Sequence, residues 1–505
     1  MKRLLVNCTI SLTLGLGLAL ALLCLLNGAP PVAHADPGDL FASPGGAGTA
    51  CSQAQPCPLQ TALGQSISGD TIYLAAGTYT GSGGAVVTVT KSITLAGGWD
   101  SAAAGPIMRD PDTYVSKLDG QGQRRAVYVN GSISAVLDGL HLFNGEADNN
   151  QGGAGVYAAI GSNLVLNGCH VYSNTAHIYG VGGGVAIRGS VTMTENRIYG
   201  NIVTGTHANG AGIALGIVNS AVLSGNQIYD NISYAPASSL GGGGLLIYRS
   251  NATLVNNDIY HNTTSASGGG VHINETSTNK VILENNRIYG NTAKYGGGLI
   301  AGDCTVTMTG NLVYDNVGGL GGGLRLLISN VTLVNNVVVD NQGGGGGGIH
   351  IGGSDVRMLH TTIAHNDDIG VYVTDFGAPN YSTLAMTNTI LVSHTMGILV
   401  NPSNAASLEA TLWGNDAWAN SADWGGTGTI VTDTINIWDD PAFFAPGFFD
   451  YHILPTSAAV DAGVNAGVAI DVDGQTRPRD GIYDIGADEL NDYTFVYLPL
   501  TARDY

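Results

Sequence analysis

Three basic side chains recur at one position of a repeated segment and could carry out acid–base chemistry. His272, Arg325 and His350 each stand second in a short apolar run that follows a glycine cluster. An imidazole can act as a general base, and a cation can stabilise the negative charge that proton removal leaves behind. Apolar residues occupy this position in other copies of the segment: Ala186, Ala214, Leu246 and Ile300. The three basic residues are therefore candidate catalytic residues in an incomplete row.

Tyrosines occupy a second recurring position, in six consecutive copies of the repeat: Tyr172, Tyr199, Tyr229, Tyr260, Tyr289 and Tyr314. Stacked aromatic rings add about 0.5–1.5 kcal/mol per pair beyond the burial of their area. The alternative is a binding strip, because sugar rings pack on tyrosine faces while the hydroxyl finds a polar partner. We favour the structural role and keep the binding strip as a second interpretation.

Carboxylates near the C-terminus are the best metal candidates. Asp471 and Asp473 lie in an Asp-x-Asp-Gly segment, which offers two hard oxygen ligands and a tight turn. This pattern predicts a calcium site, although the distant glutamate of a complete calcium loop is missing. A solvated turn, or ion pairs with Arg477 and Arg479, would explain the same residues without a metal.

The elements that position these residues follow from a repeat. Its closing asparagines lie 25 to 31 residues apart, at positions 174, 201, 231, 262, 291, 316, 341 and 366. A period in this range indicates a stacked solenoid. Each period contains three short, β-branched, alternating runs, which are typical of strands rather than helices. The sequence therefore predicts an all-β parallel β-helix with three strands per coil and about a dozen coils.

Asparagine and glycine have specific places in such a coil. An inward asparagine at the same corner of every coil can hydrogen-bond to its copies above and below. Glycine allows the backbones of neighbouring coils to approach closely at another corner. All the length variation between coils falls at one corner of the N-terminal half, and in repeat proteins such an edge is often the binding face.

These segments resemble a known superfamily. From about residue 60 to 440 the chain looks like the bacterial right-handed parallel β-helix proteins of the pectate-lyase-like superfamily, with the segments at 57–63 and 69–79 similar to their N-terminal cap. The segments 459–463, 471–479 and 484–489 resemble the choice-of-anchor Q domain. The resemblance implies a surface or exported protein and leaves the activity open. It also implies that a catalytic base and calcium groups, where present, lie on the strand of His272.

The N-terminus predicts export. Lys2 and Arg3 precede an apolar run from Leu12 to Leu26 and a small-x-small site that ends at Ala35, as in a cleaved signal peptide. We therefore predict a signal peptide (1–35), a cap with the first strands (36–85), the β-helix (86–452), the anchor-like module (453–490) and a tail (491–505). In an oxidising compartment Cys51 and Cys57 could form a disulfide, while Cys169 and Cys304 are expected to be buried thiols.

Charge narrows the range of partners. The chain has 18 Lys and Arg residues against 38 Asp and Glu residues, a formal net charge of −20. Such a surface repels phosphate backbones, so nucleic acid is not an expected partner. We expect a monomer without a membrane span in the mature chain, at the cell surface or outside the cell. The expected function is non-catalytic binding of glycan or cell envelope; the alternative is a lyase or glycoside hydrolase that acts on an acidic polysaccharide.

Overall fold

The computed structural model describes residues 38–147, 152–177, 181–206, 208–236, 240–479 and 481–490. These residues form a right-handed parallel β-helix of about 13 turns, which confirms the predicted fold class. The predicted signal peptide and tail lie outside the described residues. No helix among the described residues is long and apolar enough to cross a membrane.

Three parallel sheets run along the solenoid, and each coil contributes a strand to each of them. We call sheet 1 the sheet that follows the glycine clusters. Its strands are Ala85–Val89, Arg125–Val129, Val156–Ala158, Val185–Ile187, Ile213–Gly216, Leu245–Tyr248, Leu324–Leu327, Ile349–Gly352, Ile369–Thr374, Met396–Val400 and Ala422–Gly426.

Sheet 2 follows sheet 1 along each coil, and sheet 3 follows sheet 2. The strands of sheet 2 are Asp39–Ala42, Thr71–Ala75, Thr94–Trp99, Ser134–Asp138, Asn163–Asn167, Ser190–Thr194, Ala221–Ser224, Ala252–Val255, Asn330–Val334, Asp355–Leu359 and Thr429–Thr432. The strands of sheet 3 are Gly77–Tyr79, Ser116–Asp119, Leu140–Phe143, His170–Tyr172, Arg197–Tyr199, Gln227–Tyr229, Asp258–Tyr260, Arg287–Tyr289, Leu312–Tyr314, Val337–Val339, Thr362–Ala364 and Asn436–Ile437.

Four longer strands run through a corner and serve two sheets. Val271–Glu284 and Leu299–Thr309 join sheets 1 and 2, whereas Thr383–Val392 and Ala405–Leu412 join sheets 2 and 3. A fourth, seven-stranded sheet lies after sheet 3 at the variable corner. This corner sheet contains Glu146–Ala147, Thr175–Ala176, Ile202–Thr204, Ile232–Tyr234, Thr263–Thr264, Thr292–Ala293 and Val317–Gly318. Parts of the longest corner loops lie outside the described residues.

Short elements complete both ends. The helix Leu59–Gln65 packs Leu59 and Ala62 against the first coils, as expected for an N-terminal cap. Near the C-terminus are the 3-10 helices Asp416–Trp418 and Pro446–Phe448 and an antiparallel pair, Phe443–Ala445 with Asp450–Ile453. The segment that follows this pair packs against the outside of the last coils.

Two asparagine ladders hold the corners on either side of sheet 3. At its end the closing asparagines from Asn174 to Asn366 are buried, and each side-chain amide donates to the carbonyl oxygen of the next at 2.9–3.0 Å. At its beginning, the asparagines from Asn196 to Asn336 do the same at 2.8–3.0 Å. Each Oδ1 also accepts the backbone N–H of the preceding asparagine. The ladders thereby satisfy corner backbone that the core would otherwise bury unpaired.

We expect Asn257→Ala to destabilise the protein strongly. Asn257 accepts the backbone N–H of Asn226 at 3.0 Å and donates to the carbonyl of Leu223 at 2.9 Å. Its removal leaves both buried groups unpaired, at about 1–3 kcal/mol each, so urea unfolding should give a loss of roughly 2–6 kcal/mol. The exposed Thr192 on sheet 2 supplies a control, since Thr192→Ala should change the free energy of unfolding by less than about 0.5 kcal/mol. Equal stabilities of the two variants would contradict the role of the ladder.

Candidate functional site

The predicted catalytic residues share one row of sheet 1. Parallel pairing places His272 beside Ile300, Ile300 beside Arg325, and Arg325 beside His350. Neighbouring coils are about 4.8 Å apart, so the two histidines are separated by three coil steps, or roughly 14 Å. The row therefore brings Arg325 and His350 together but leaves His272 at a distance.

Strand alternation predicts that this row points outward from the solenoid, but both histidines are buried rather than exposed to solvent. His272 and His350 are each 5% exposed, because the glycine clusters fold back over the outer face of sheet 1. Gly268 lies so close to His272 that a Cβ atom added to this glycine would come within 2.8 Å of the His272 Cβ. Its φ is +70°. Glycine is required there both for the left-handed backbone and for the space. The glycines that mark each coil in the sequence thus bury the residues that follow them.

Each residue of this buried row contacts a neighbouring group of the protein. His272 Nδ1 lies 3.3 Å from the carbonyl oxygen of Ser267, and burial lowers its pKa to about 4. The Arg325 guanidinium packs over the ring of Tyr295 at 4.5 Å, and His350 meets Tyr372 edge-on at 5.4 Å. Burial, followed by the charge of Arg325, lowers the pKa of His350 to about 4. Both imidazoles are therefore neutral at pH 7.

The six tyrosines form a continuous stack on the outer face of sheet 3. From Tyr172 to Tyr314, ring centroids of neighbours lie 4.8–5.1 Å apart and the planes differ by 4–8°. Phe143 stacks on the first ring at 5.3 Å, and Phe449 contacts the last at 4.4 Å. Ring faces therefore cover one another, while ring edges and hydroxyls remain half-exposed. This geometry supports the structural interpretation and removes the open ring faces on which a sugar would stack.

The C-terminal segment ends the tyrosine row. Beyond Tyr314 the register places Val339, Ala364 and Val392 at the same position, and these smaller side chains pack against the segment from Phe443 to Ala487. Tyr451, from that segment, donates its hydroxyl to Asp340 at 2.7 Å. The segment from Phe443 to Ala487 thus covers the C-terminal third of sheet 3 and reaches the tyrosine row at Tyr314, through Phe449.

Asp471 and Asp473 have separate partners. Asp471 is 3% exposed, and its carboxylate accepts the backbone N–H groups of Asp473, Gln475 and Glu489 at 2.7–3.2 Å. Asp473 instead pairs with His452, at 2.8 Å. Calcium at Asp471 and Asp473 stays a prediction, and an ion there would compete with these hydrogen bonds. Arg477, considered as a partner, is buried and pairs with Glu489 at 3.3 Å.

His452, which the sequence did not single out, joins two of the C-terminal carboxylates as a possible metal ligand. His452, Asp473 and Asp488 each offer a ligand atom within 4.8 Å of the others. Burial would lower the pKa of His452, but its hydrogen bonds to Asp450 and Asp473 outweigh burial and raise it to about 11. The group borders a cavity of about 210 Å³ beside Phe449 at the end of the tyrosine stack. No local sequence motif indicates this group of three residues, because they come from separate turns of the C-terminal segment.

A row of basic side chains also escaped notice. It runs parallel to the tyrosines, two residues earlier in each strand of sheet 3, and consists of Lys117, His141, His170 and Arg197 in consecutive coils. His141 and His170 stack at 4.3 Å, and each meets the tyrosine of the next coil edge-on. Strict alternation within the strands could have revealed this row, since these residues and the aromatic ones point outward together.

The four cysteines discussed above form one disulfide and two buried thiols, as their spacing predicts. Cys51 and Cys57 form a disulfide next to the N-terminal helix. Cys169 and Cys304 are buried thiols, and the Cys169 Sγ lies 3.3 Å from the carbonyl oxygen of Asn167.

Comparison with known proteins agrees with the fold. The family model for the "Right handed beta helix region" matches residues 116–351. No curated protein sequence matches the chain significantly. The choice-of-anchor Q assignment of the C-terminal module stays a prediction.

Solved structures with a similar fold include three polysaccharide-related enzymes. The pectate lyase Pel9A is 15% identical, with a TM-score of 0.41 over 90% of this chain and 97% of that chain. The periplasmic alginate epimerase AlgG is 14% identical, with a TM-score of 0.40 over 70% and 82%. The A-module of the Azotobacter vinelandii mannuronan C-5 epimerase AlgE6 is 17% identical, with a TM-score of 0.38 over 74% and 91%. At these identities and TM-scores the likeness carries no argument about activity.

Acid should destabilise the protein through its buried histidines. The pKa of His272 falls from about 6.5 in the unfolded chain to about 4 in the fold, so the unfolded state binds the proton more readily. Stability is therefore complete above pH 6.5 and is lost as the pH falls towards 4. His272→Leu, which matches the neighbouring Leu246 and Ile300, should keep about 2 kcal/mol more of its pH 8 stability at pH 5 than the native protein does. Parallel pH profiles of the two proteins in urea unfolding would contradict this.

Proposed function

We propose that the protein is exported and binds a polysaccharide or cell-envelope glycan, without catalysis, on the outer face of sheet 3. The observation that carries the proposal is the tyrosine stack, which sets hydroxyl groups at intervals of about one coil along the outer face of sheet 3. A phenolic hydroxyl both donates and accepts hydrogen bonds. A periodic line of such groups suits an extended polymer that presents hydroxyls at regular intervals.

The surroundings of the stack support the same interpretation. The polar row beside it continues beyond Arg197 with Gln227 and the ion pair of Asp258 with Arg287 at 2.6 Å. The tyrosine edges supply apolar surface between hydrogen-bonding groups, a combination that carbohydrate sites use. In contrast, burial of His272 and His350 disfavours chemistry on sheet 1, which supports a non-catalytic role.

Export has two supports. The N-terminal sequence has the three-part pattern of a signal peptide, in residues outside those described. The disulfide between Cys51 and Cys57 suits an oxidising compartment. Both agree with a glycan of the cell surface or the extracellular medium as the ligand.

The binding role of the tyrosines can be separated from their stacking role. Tyr229→Phe with Tyr260→Phe removes two central hydroxyls and keeps both rings, so we expect nearly unchanged melting and weaker binding on a glycan array. Tyr229→Ser with Tyr260→Ser removes three stacked ring contacts. The melting temperature should therefore fall as well, with a loss of roughly 2–4 kcal/mol in unfolding free energy. Unchanged glycan binding by both double variants would refute the proposed site and leave the stack as scaffold alone.

A second candidate function rests on one observation at sheet 1. The Arg325 Nε and His350 Nδ1 atoms are buried without a hydrogen-bond partner among the described residues, so an acidic sugar could pair with them if the covering glycine loop opened. The assay is eliminative cleavage of acidic polysaccharides with and without calcium. Lyase function predicts product that absorbs in the ultraviolet and is lost on Arg325→Met and His350→Leu. The non-catalytic proposal predicts no product, and cleavage that survives both substitutions would exclude this site.

A further inference from the structure

The basic row on sheet 3 is unusual for so acidic a chain. Lys117, His141, His170 and Arg197 occupy the same strand position in four consecutive coils. Three steps of about 4.8 Å place the ends of the row roughly 14 Å apart. The chain as a whole carries a net charge of −20, yet this row contains no acidic member.

Nearby carboxylates are engaged elsewhere. Among the described residues, every ion pair involves other side chains than these four. In the coil of Lys117, Asp119 occupies the strand position that aromatic residues hold in the following coils. Its carboxylate accepts hydrogen bonds from the backbone N–H of Gln121 and the side-chain amide of Asn144. Asp112, on the preceding loop, is exposed and acts on both His141 and His170 through its charge. The row is thus a line of basic groups without carboxylate partners in the described part of the chain.

Basic groups stacked in register repel one another when charged. His141 and His170 show this, because burial and the neighbouring basic groups lower both pKa values, that of His141 to about 4. A bound anion would relieve the repulsion and favour the protonated imidazoles. Only a ligand that carries negative charge at intervals along the row gains from all four groups.

We propose that this row binds the anionic groups of an acidic polysaccharide, whose chain continues along the tyrosine stack. The inference rests on the proposed glycan-binding function and names the class of glycan. The anion is a carboxylate or a sulfate, since either accepts hydrogen bonds from imidazolium, ammonium and guanidinium groups. Asp230 and Asp315, which follow the tyrosines of later coils, are exposed and add negative charge there, so the basic row is the part of this face best suited to anionic groups.

The geometry favours a polysaccharide over a nucleic acid. The tyrosine faces are closed by stacking, so bases have no ring on which to stack. Sugar hydroxyls, in contrast, can pair with the exposed phenolic groups.

Binding should strengthen in acid. The groups that face His141 and His170 are Lys117, Arg197 and Asp112, with Tyr172 and Tyr199 at the ring edges. Of all these groups, the two imidazoles change charge between pH 8 and pH 5 once an anion raises their pKa values. Tighter binding at pH 5 is therefore a property of this row.

The test compares polymers that share a backbone and differ in charge: dextran, carboxymethyl-dextran and dextran sulfate, with single-stranded DNA as a further polyanion. In calorimetry with the mature protein, we expect at least one charged dextran to bind more tightly than dextran. Lys117→Gln with Arg197→Gln should weaken that binding by about tenfold or more. His141→Gln with His170→Gln should abolish the strengthening at pH 5. Preference for one charged dextran identifies the anion as carboxylate or sulfate.

A matched control separates the site from overall charge. Arg188→Gln with Lys280→Gln removes the same two charges from exposed positions elsewhere, and it should leave binding unchanged. An equal loss in this control, or equally tight binding of DNA, would overturn the inference. If neutral glycans bind through the tyrosines and charged dextrans bind no more tightly, this inference fails alone. If no glycan binds at all, the proposed function itself has failed.

Discussion

Each coil of this protein must turn its corners without leaving backbone N–H or C=O groups unpaired inside the solenoid. The asparagine ladders meet this requirement, since each amide pairs with its copy in the next coil and with backbone on both sides. The pairing works only when successive asparagines lie directly above one another. The ladders therefore hold neighbouring coils in a single register over most of the molecule.

That register produces the surface features of sheet 3. When every coil repeats the same position, outward side chains of one kind become lines, and the tyrosines stack while the basic residues repel. Where the C-terminal segment packs on sheet 3, the tyrosine position is occupied by Val339, Ala364 and Val392. The tyrosine row therefore ends where another part of the chain covers the sheet. The exposed length of the face is thus set by the chain itself.

Much of this architecture follows from the sequence, because register is a local, periodic property. Asparagine spacing correctly predicts the coils and the tyrosine stack. The burial of His272 does not follow, since strand alternation assigns its direction but not the glycine loop that returns over it. The group of His452, Asp473 and Asp488 depends on the path of an irregular segment, which no period describes. Lys117 and His141 lie before the first closing asparagine, so the asparagine repeat does not identify them.

We expect the ligand to lie along the outer face of sheet 3. Hydroxyl-radical footprinting of the exported protein, with and without a glycan that it binds, tests this most directly. We expect the glycan to protect the tyrosines from Tyr172 to Tyr289 and to leave Tyr248 and Tyr372, on sheet 1, unchanged. Protection confined to sheet 1 or to the corner loops, with the tyrosine row unaffected, would contradict it.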